Sequence, residues 1–168
     1  MKANPIIEVP ATRLEKRIHI ITYTLLGLLY LFVTLQYNSL PEQIPAHYNF
    51  NGEITRTMSK GGIWIFPIIT TIFAVVVSFL CKVPYMSNYP LKVTEVNAKP
   101  VYKEGRLMLA TLGLFLVLLM GSIVWQVIND AQREQSVSET PWLTGAVMSG
   151  LLIHIIYFFI RIRKHKLD

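Results

Sequence analysis

Four stretches of this chain contain no Lys, Arg, Asp or Glu: Ile18–Tyr37, Ile63–Cys81, Leu107–Ile128 and Trp142–Ile160, of 20, 19, 22 and 19 residues. About 20 apolar residues are what a helix needs to cross the hydrocarbon core of a bilayer. In lipid the backbone must satisfy its own hydrogen bonds, which leaves helices or a closed barrel. Barrel strands are shorter and alternate apolar with polar side chains, and these runs do not. The expected fold is an all-α integral membrane protein, with four transmembrane helices forming one domain over residues 1–168. Composition agrees: 52% of the residues are hydrophobic and 15% charged, against roughly a quarter charged in soluble domains. The first run is too long for the apolar part of a signal peptide, and no small-x-small site follows it. It therefore reads as a retained first span.

The basic residues set the orientation, because short cytoplasmic segments carry the excess of Lys and Arg. Lys2, Arg13, Lys16 and Arg17 precede the first run. Lys82, Lys92, Lys99, Lys103 and Arg106 lie between the second and third, and Arg161, Arg163, Lys164 and Lys166 follow the fourth. Only Arg56, Lys60 and Arg133 remain for the other side, so 13 of 16 basic residues place both termini and the middle loop in the cytoplasm. Trp64, Trp125 and Trp142 fall at the outer ends of their runs, where tryptophan prefers to sit. The net charge of +6 then reflects attraction to anionic lipid. The basic tails lack the interleaved aromatics of a nucleic-acid surface. The bilayer is the first partner, and the expected location is a membrane that the chain crosses several times.

Several residues within the runs are candidates for packing or function. Gly145-x-x-x-Ser149 and Ala146-x-x-x-Gly150 put small residues four apart on helix 4, a face suited to close packing within the chain or in an oligomer. His19 and His154 lie in the cytoplasmic half. No acid shares their depth, so each is expected to be a neutral ring bonded to a neighbouring helix. Cys81, the single cysteine, rules out an internal disulfide and reads as an apolar filler. The tails (Met1–Arg17 and Arg161–Asp168) and Lys82–Lys99 read as polar and partly disordered. Pro100 suits a helical first turn, so helix 3 is expected to start near it, with Gly105 weakening that extension.

The outer loop between helices 1 and 2, Leu40–Gly62, is polar and rich in turn residues. Pro41 ends helix 1 and Pro45 keeps the chain extended. Ile44 is expected to fold back onto the helix ends. Asn51-Gly52 predicts a two-residue type I′ turn of a short β-hairpin, with His47–Phe50 and Glu53–Thr57 as strands. Such a hairpin needs support, expected from Tyr48, Phe50 or Ile54. Lys60 is placed to snorkel or to pair with Glu42 or Glu53. His47, Glu53 and Lys60 are the residue types of acid–base chemistry. With one His and no Cys on this side, no metal site is assigned, and no catalytic motif and no cofactor are expected.

The pattern formed by Leu40, Pro41, Ile44, Pro45, His47, Tyr48, Asn49, Gly52 and Lys60 resembles the unknown-function membrane family found at the N-terminus of Sdp-type bacteriocin immunity proteins. Asn97, Tyr102 and Arg106 carry the same likeness in the cytoplasmic loop, and the whole looks like a short stand-alone member. The resemblance implies protection against a secreted peptide toxin and, through loop 82–106, capture of a cytoplasmic protein. The leading expectation is a binding and protection protein. Its outer loop 40–62 would be the recognition surface, through Pro41, Ile44, Pro45, His47, Asn49, Asn51, Gly52 and Lys60. Asn97, Tyr102 and Arg106 are the candidate cytoplasmic contacts. The alternatives are a small transporter or channel subunit using His154, Gln126 and the small-residue face of helix 4, and a membrane enzyme acting at the outer headgroups through His47 and Glu53.

Overall fold

Each apolar run becomes one helix in the computed structural model, which describes residues 4–133, 136–138 and 141–166. The helices are α1 (Arg13–Gln36), α2 (Ile65–Lys82), α3 (Ala98–Gln132) and α4 (Pro141–Arg163). All four are long and apolar enough to cross a membrane, and the chain is a multi-pass membrane protein. Between α1 and α2 lies a two-stranded antiparallel sheet, β1 (Gln43–Tyr48) and β2 (Ile54–Ser59). Leu28, Leu31, Leu35, Ile68, Ile72 and Phe79 face outward, as they must where the surrounding solvent is lipid. Between α1, α2 and α3, a Cβ on Gly113 would lie in van der Waals contact with the Val77 and Thr22 side chains, at 3.5 and 3.9 Å, and the Tyr23 and Tyr30 hydroxyls of α1 bond Ser78 and Thr71 of α2; such packing and polar bonds replace the hydrophobic drive that lipid cannot supply.

α3 is the central element, packed on α1, α2 and α4. At 1.5 Å per residue its 35 residues span about 52 Å, well beyond the roughly 30 Å hydrocarbon core. Its first turns therefore stand in the cytoplasmic layer, as Pro100 suggests. Gly105 does not interrupt it. A Cβ there would meet the Tyr89 ring at 2.7 Å, so the glycine permits a close approach, and that packing offsets its poor helix propensity.

Within the tails and loop expected to be polar and partly disordered, residues 4–9 and 85–93 are instead packed. Asn4 Nδ2 donates to the carbonyls of Tyr85 and Ser87 at 2.9 and 3.0 Å. Ile7, Val9, Tyr85, Tyr89, Leu91 and Val93 pack against a buried group of Ala98, Val101, Tyr102 and Ile162. The apolar residues of these segments, scattered without a helical or strand period, supply a small second core at the membrane surface. Lys2, counted with the basic residues of the N-terminal tail, lies outside the described residues.

α1 starts five residues before its apolar run because of a capping box. Thr12 Oγ1 accepts from the Glu15 N–H, and the Glu15 carboxylate accepts from the Thr12 N–H, which satisfies two donors otherwise orphaned at the helix start. On the side of α4 away from α3, Gly145 has no atom near where its Cβ would lie, whereas Gly150 approaches Phe115 of α3 at 3.3 Å. The small-residue face thus splits between an intramolecular contact and an open surface.

Candidate functional site

The hairpin lies over the outer ends of the helices and is anchored at three places. Its root is apolar. Leu40, Ile44 and Ile63 are buried with Val33, Val124 and Ile128 in one cluster, and Ile44 is wholly enclosed. Its middle is held by a polar bond: the Tyr48 hydroxyl donates to Asp130 Oδ2 at 2.9 Å. Its far end meets the α3–α4 connection, where the Ile54 N–H donates to the Ser136 carbonyl and the Ser138 N–H to the Gly52 carbonyl, each at 2.9 Å. A free two-stranded hairpin is marginal in water, and these anchors replace the third strand it lacks.

The turn differs from the two-residue type I′ turn expected at Asn51-Gly52. The Gly52 N–H donates to the Asn49 carbonyl and the Asn49 N–H to the Glu53 carbonyl, both at 3.0 Å. Gly52 is in the left-handed region, at φ +80°. This is a three-residue loop whose turn is followed by a left-handed glycine. Asn49 decides it: its Oδ1 accepts from the N–H groups of Asn51 and Glu53 at 3.0 and 2.9 Å, an Asx-type substitute for backbone bonding. Both strands are displaced away from the turn relative to the expected His47–Phe50 and Glu53–Thr57: β1 starts at Gln43 and stops at Tyr48, β2 starts at Ile54 and runs to Ser59, and Pro45 sits within β1 opposite Thr57. Phe50 does not lean on the helices; it is fully exposed at the tip.

Around this frame the charged groups are paired or open. Lys60 Nζ meets Glu42 Oε1 at 2.7 Å and lies 5.7 Å from the Tyr37 ring centre. His47 Nδ1 bonds Thr55 Oγ1 at 2.7 Å, and Glu53 accepts from Asn49 Nδ2. The Tyr48 phenol is pushed above its ordinary pKa, first by burial and then by the neighbouring Asp130 carboxylate and its hydrogen bond. At the root, Trp64 stacks near Tyr37 and Tyr30, with ring centres 5.8 and 6.3 Å away.

The eight outer residues singled out from sequence therefore divide by role. Ile44, Pro45 and Gly52 are buried, and Asn49 shapes the turn. Pro41, His47 and Asn51 are exposed, while Lys60 is half-buried against Glu42. The outward side of the hairpin is completed by Phe50, Thr55 and Arg56. Asp130 was missed. It sits two residues past the third run, and its depth under Tyr48 is a property of the tertiary fold.

At the cytoplasmic end, Asn97, Tyr102 and Arg106 are all buried. Asn97 Nδ2 donates to the carbonyls of Lys92 and His165, both at 3.1 Å. Tyr102 donates to the Pro5 carbonyl at 2.6 Å. Arg106 Nε donates to Glu15 Oε1 at 2.9 Å, and its Nη1 donates to the Val9 carbonyl. Each residue ties a different segment to α3, so in this conformation the side-chain amide of Asn97, the Tyr102 hydroxyl and two of the three guanidinium nitrogens of Arg106 are engaged inside the fold. Glu15 had a readable signal, the Thr12-x-x-Glu15 spacing of a capping box, but its second bond to Arg106 did not.

Residues 24–71 match the model of a domain of unknown function, DUF1648. The match starts within α1, includes the whole hairpin and ends in the second turn of α2, so it covers the hairpin and the adjoining ends of its two flanking helices. It names no activity and carries no link to Sdp-type immunity proteins. No curated protein and no solved structure matches the chain.

The residues behind the two alternative readings also make bonds within the fold. His154 Nε2 is bonded to Thr111, and Gln126 Oε1 accepts from Thr144 at 3.1 Å, both bonds joining α3 to α4. His47 and Glu53 bond Thr55 and Asn49 respectively.

Proposed function

We propose that the chain is a binding and protection protein of a bacterial cell membrane, with the outer hairpin as the surface that recognises a secreted, membrane-active peptide. One observation carries this reading: the hairpin is held rigidly by Ile44, Tyr48–Asp130 and the Gly52–Ser138 bond, yet its outward residues His47, Phe50, Thr55 and Arg56 are left open. A preorganised polar loop bearing an exposed aromatic and a cation is the kind of surface that binds with little ordering cost. The resemblance of Leu40, Pro41, Ile44, Pro45, His47 and Lys60 to the pattern of Sdp-type immunity proteins adds support. The cytoplasmic partner expected at loop 82–106 would then meet residues beside Asn97, Tyr102 and Arg106, since those three are enclosed.

The test is survival. The chain is expressed in a sensitive Gram-positive host and challenged with secreted membrane-active peptides, including an Sdp-type toxin, against an empty vector. The expected result is protection that Phe50→Ala and Arg56→Ala reduce at equal membrane abundance. Protection that survives both changes together with His47→Ala removes the hairpin from the role, and no protection by an abundant, folded protein removes the function.

A further inference from the structure

At the cytoplasmic end a cavity of about 620 Å³ lies between the extended segment 6–10, the end of α2 at Lys82 and α3 at Arg106. Ile6, Val9, Pro84 and Tyr85 supply apolar and aromatic walls, and the charged lining groups are Lys82, Arg106 and Glu8. Outer-end recognition makes no use of it. The volume falls within the range of about 300–1,000 Å³ typical of small-molecule sites.

Arg106 is the decisive group. The residue is nine-tenths buried. Two of its three guanidinium nitrogens are committed, Nε to Glu15 and Nη1 to the Val9 carbonyl. Nη2 makes no hydrogen bond among the described residues, and it is not an enclosed atom. The 11% of the side chain that stays open lies in the cavity wall. A guanidinium fixed by two bonds, with donors left over, is preorganised for an anionic oxygen and suits phosphate best. Lys82 adds a flexible ammonium at the rim, exposed at the end of α2. Glu8 offers an acceptor for a hydroxyl or ammonium on the same ligand. Among the described residues this end of the bundle carries twelve basic side chains against the four acids Glu8, Glu15, Glu95 and Glu104, so the surrounding field also favours an anion. The end of α2 puts the cavity at the level of the cytoplasmic headgroups.

We propose that this cavity binds a phosphate-bearing ligand, with phosphate oxygens on Arg106 Nη2 and the Lys82 ammonium and the apolar walls against the adjoining hydrocarbon. The phosphate could be supplied by an inner-leaflet phospholipid or by a free phosphate monoester, and one experiment separates them. The purified full chain is analysed by native mass spectrometry from micelles doped with phosphatidylglycerol, with diacylglycerol as the phosphate-free control, and separately with glycerol 3-phosphate. Retention of phosphatidylglycerol over diacylglycerol, lowered about tenfold by Lys82→Glu, assigns a lipid site. Lys82 is exposed and its side chain makes no hydrogen bond or ion pair among the described residues, so an unchanged thermal midpoint is expected for that variant. Arg106→Lys, which keeps the charge and removes Nη2, should weaken retention as well. Binding of glycerol 3-phosphate that Lys82→Glu abolishes assigns the free phosphate. Equal retention of phosphatidylglycerol and diacylglycerol, together with no binding of glycerol 3-phosphate, overturns the site, as does a Lys82→Glu protein that binds both probes like the wild type.

Discussion

Removing one hydroxyl, Tyr48→Phe, tests what holds the hairpin down. Asp130 is wholly buried. Its Oδ2 accepts from Tyr48 at 2.9 Å, while its Oδ1 has no partner among the described residues. The Phe ring keeps the packing and strips the carboxylate of its recorded donor. Hydrogen bonds to charged groups are worth about 1.5–3 kcal/mol, and polar bonds between membrane helices average about 0.6, reaching about 1.7. A bond enclosed at the membrane surface, where the unfolded segment would meet water, should fall in the lower part of the charged-group range, at about 2 kcal/mol. The assay is reversible unfolding in mixed micelles by titration with dodecyl sulfate, followed by tryptophan fluorescence and run as a double-mutant cycle with Asp130→Leu. Tyr48→Phe should cost about 2 kcal/mol in the wild type and less than about 0.5 in the Asp130→Leu background. Equal costs in both backgrounds would refute the reasoning, because the contribution would then belong to the ring.

Four further outcomes follow from the packing. Gly52→Ala forces a Cβ into the left-handed region and should cost about 1–2 kcal/mol, with faster amide exchange over 49–54, whereas Phe50→Ala should change stability by less than about 0.5. Gly105→Ala drives a Cβ into the Tyr89 ring and should cost about 1–3 kcal/mol; in a Tyr89→Ala background the same change should stabilise by up to about 1, as chemical denaturation would show. Burial raises the phenol pKa of Tyr48 and Tyr89, so their contribution holds below about pH 10, the ordinary phenol value, and is lost as pH rises beyond it. An ultraviolet titration of the eight tyrosines should therefore show late-ionising phenols, one fewer in Tyr48→Phe. Glu15→Ala leaves Arg106 buried without its acid and should cost about 3–5 kcal/mol, most of it recovered by Glu15→Leu with Arg106→Met, again read by reversible unfolding.

The helices were legible because lipid makes one demand on about 20 residues in a row, and charge is the simplest thing to see missing from a sequence. The positions of Ile44 and Lys60 were legible for a similar reason: a lone isoleucine in a polar loop has few places to go, and a lysine near two acids has few partners. The turn was misjudged because Asn51-Gly52 is a strong local signal, while the residue that overrides it, Asn49, acts through a side chain bonded to backbone two and four residues on. Asn97, Tyr102 and Arg106 carry a pattern readable in sequence, but whether such residues meet a partner or hold the fold depends on burial, which sequence spacing does not encode. Segments 4–10 and 84–93 were read as loose chain because their apolar residues follow no period, and irregular segments can still close a core when a protruding helix such as the start of α3 gives them something to cover.

The buried carboxyl under the hairpin has a physical purpose beyond its contribution to stability. A two-stranded sheet with apolar residues on one face can slip in register, and a slip of one residue exchanges its faces. Here a slip would withdraw Ile44 from the outer core and carry Tyr48 away from Asp130, leaving the carboxyl enclosed with no donor. The apolar core alone would punish the first error by the loss of one side chain's burial. The polar bond adds a penalty that grows steeply with displacement, because a hydrogen bond weakens sharply once its geometry is lost. One apolar anchor and one polar anchor on the same strand thus select a single register for a hairpin too small to select one itself, and the outward residues His47, Phe50 and Arg56 take fixed positions as a consequence.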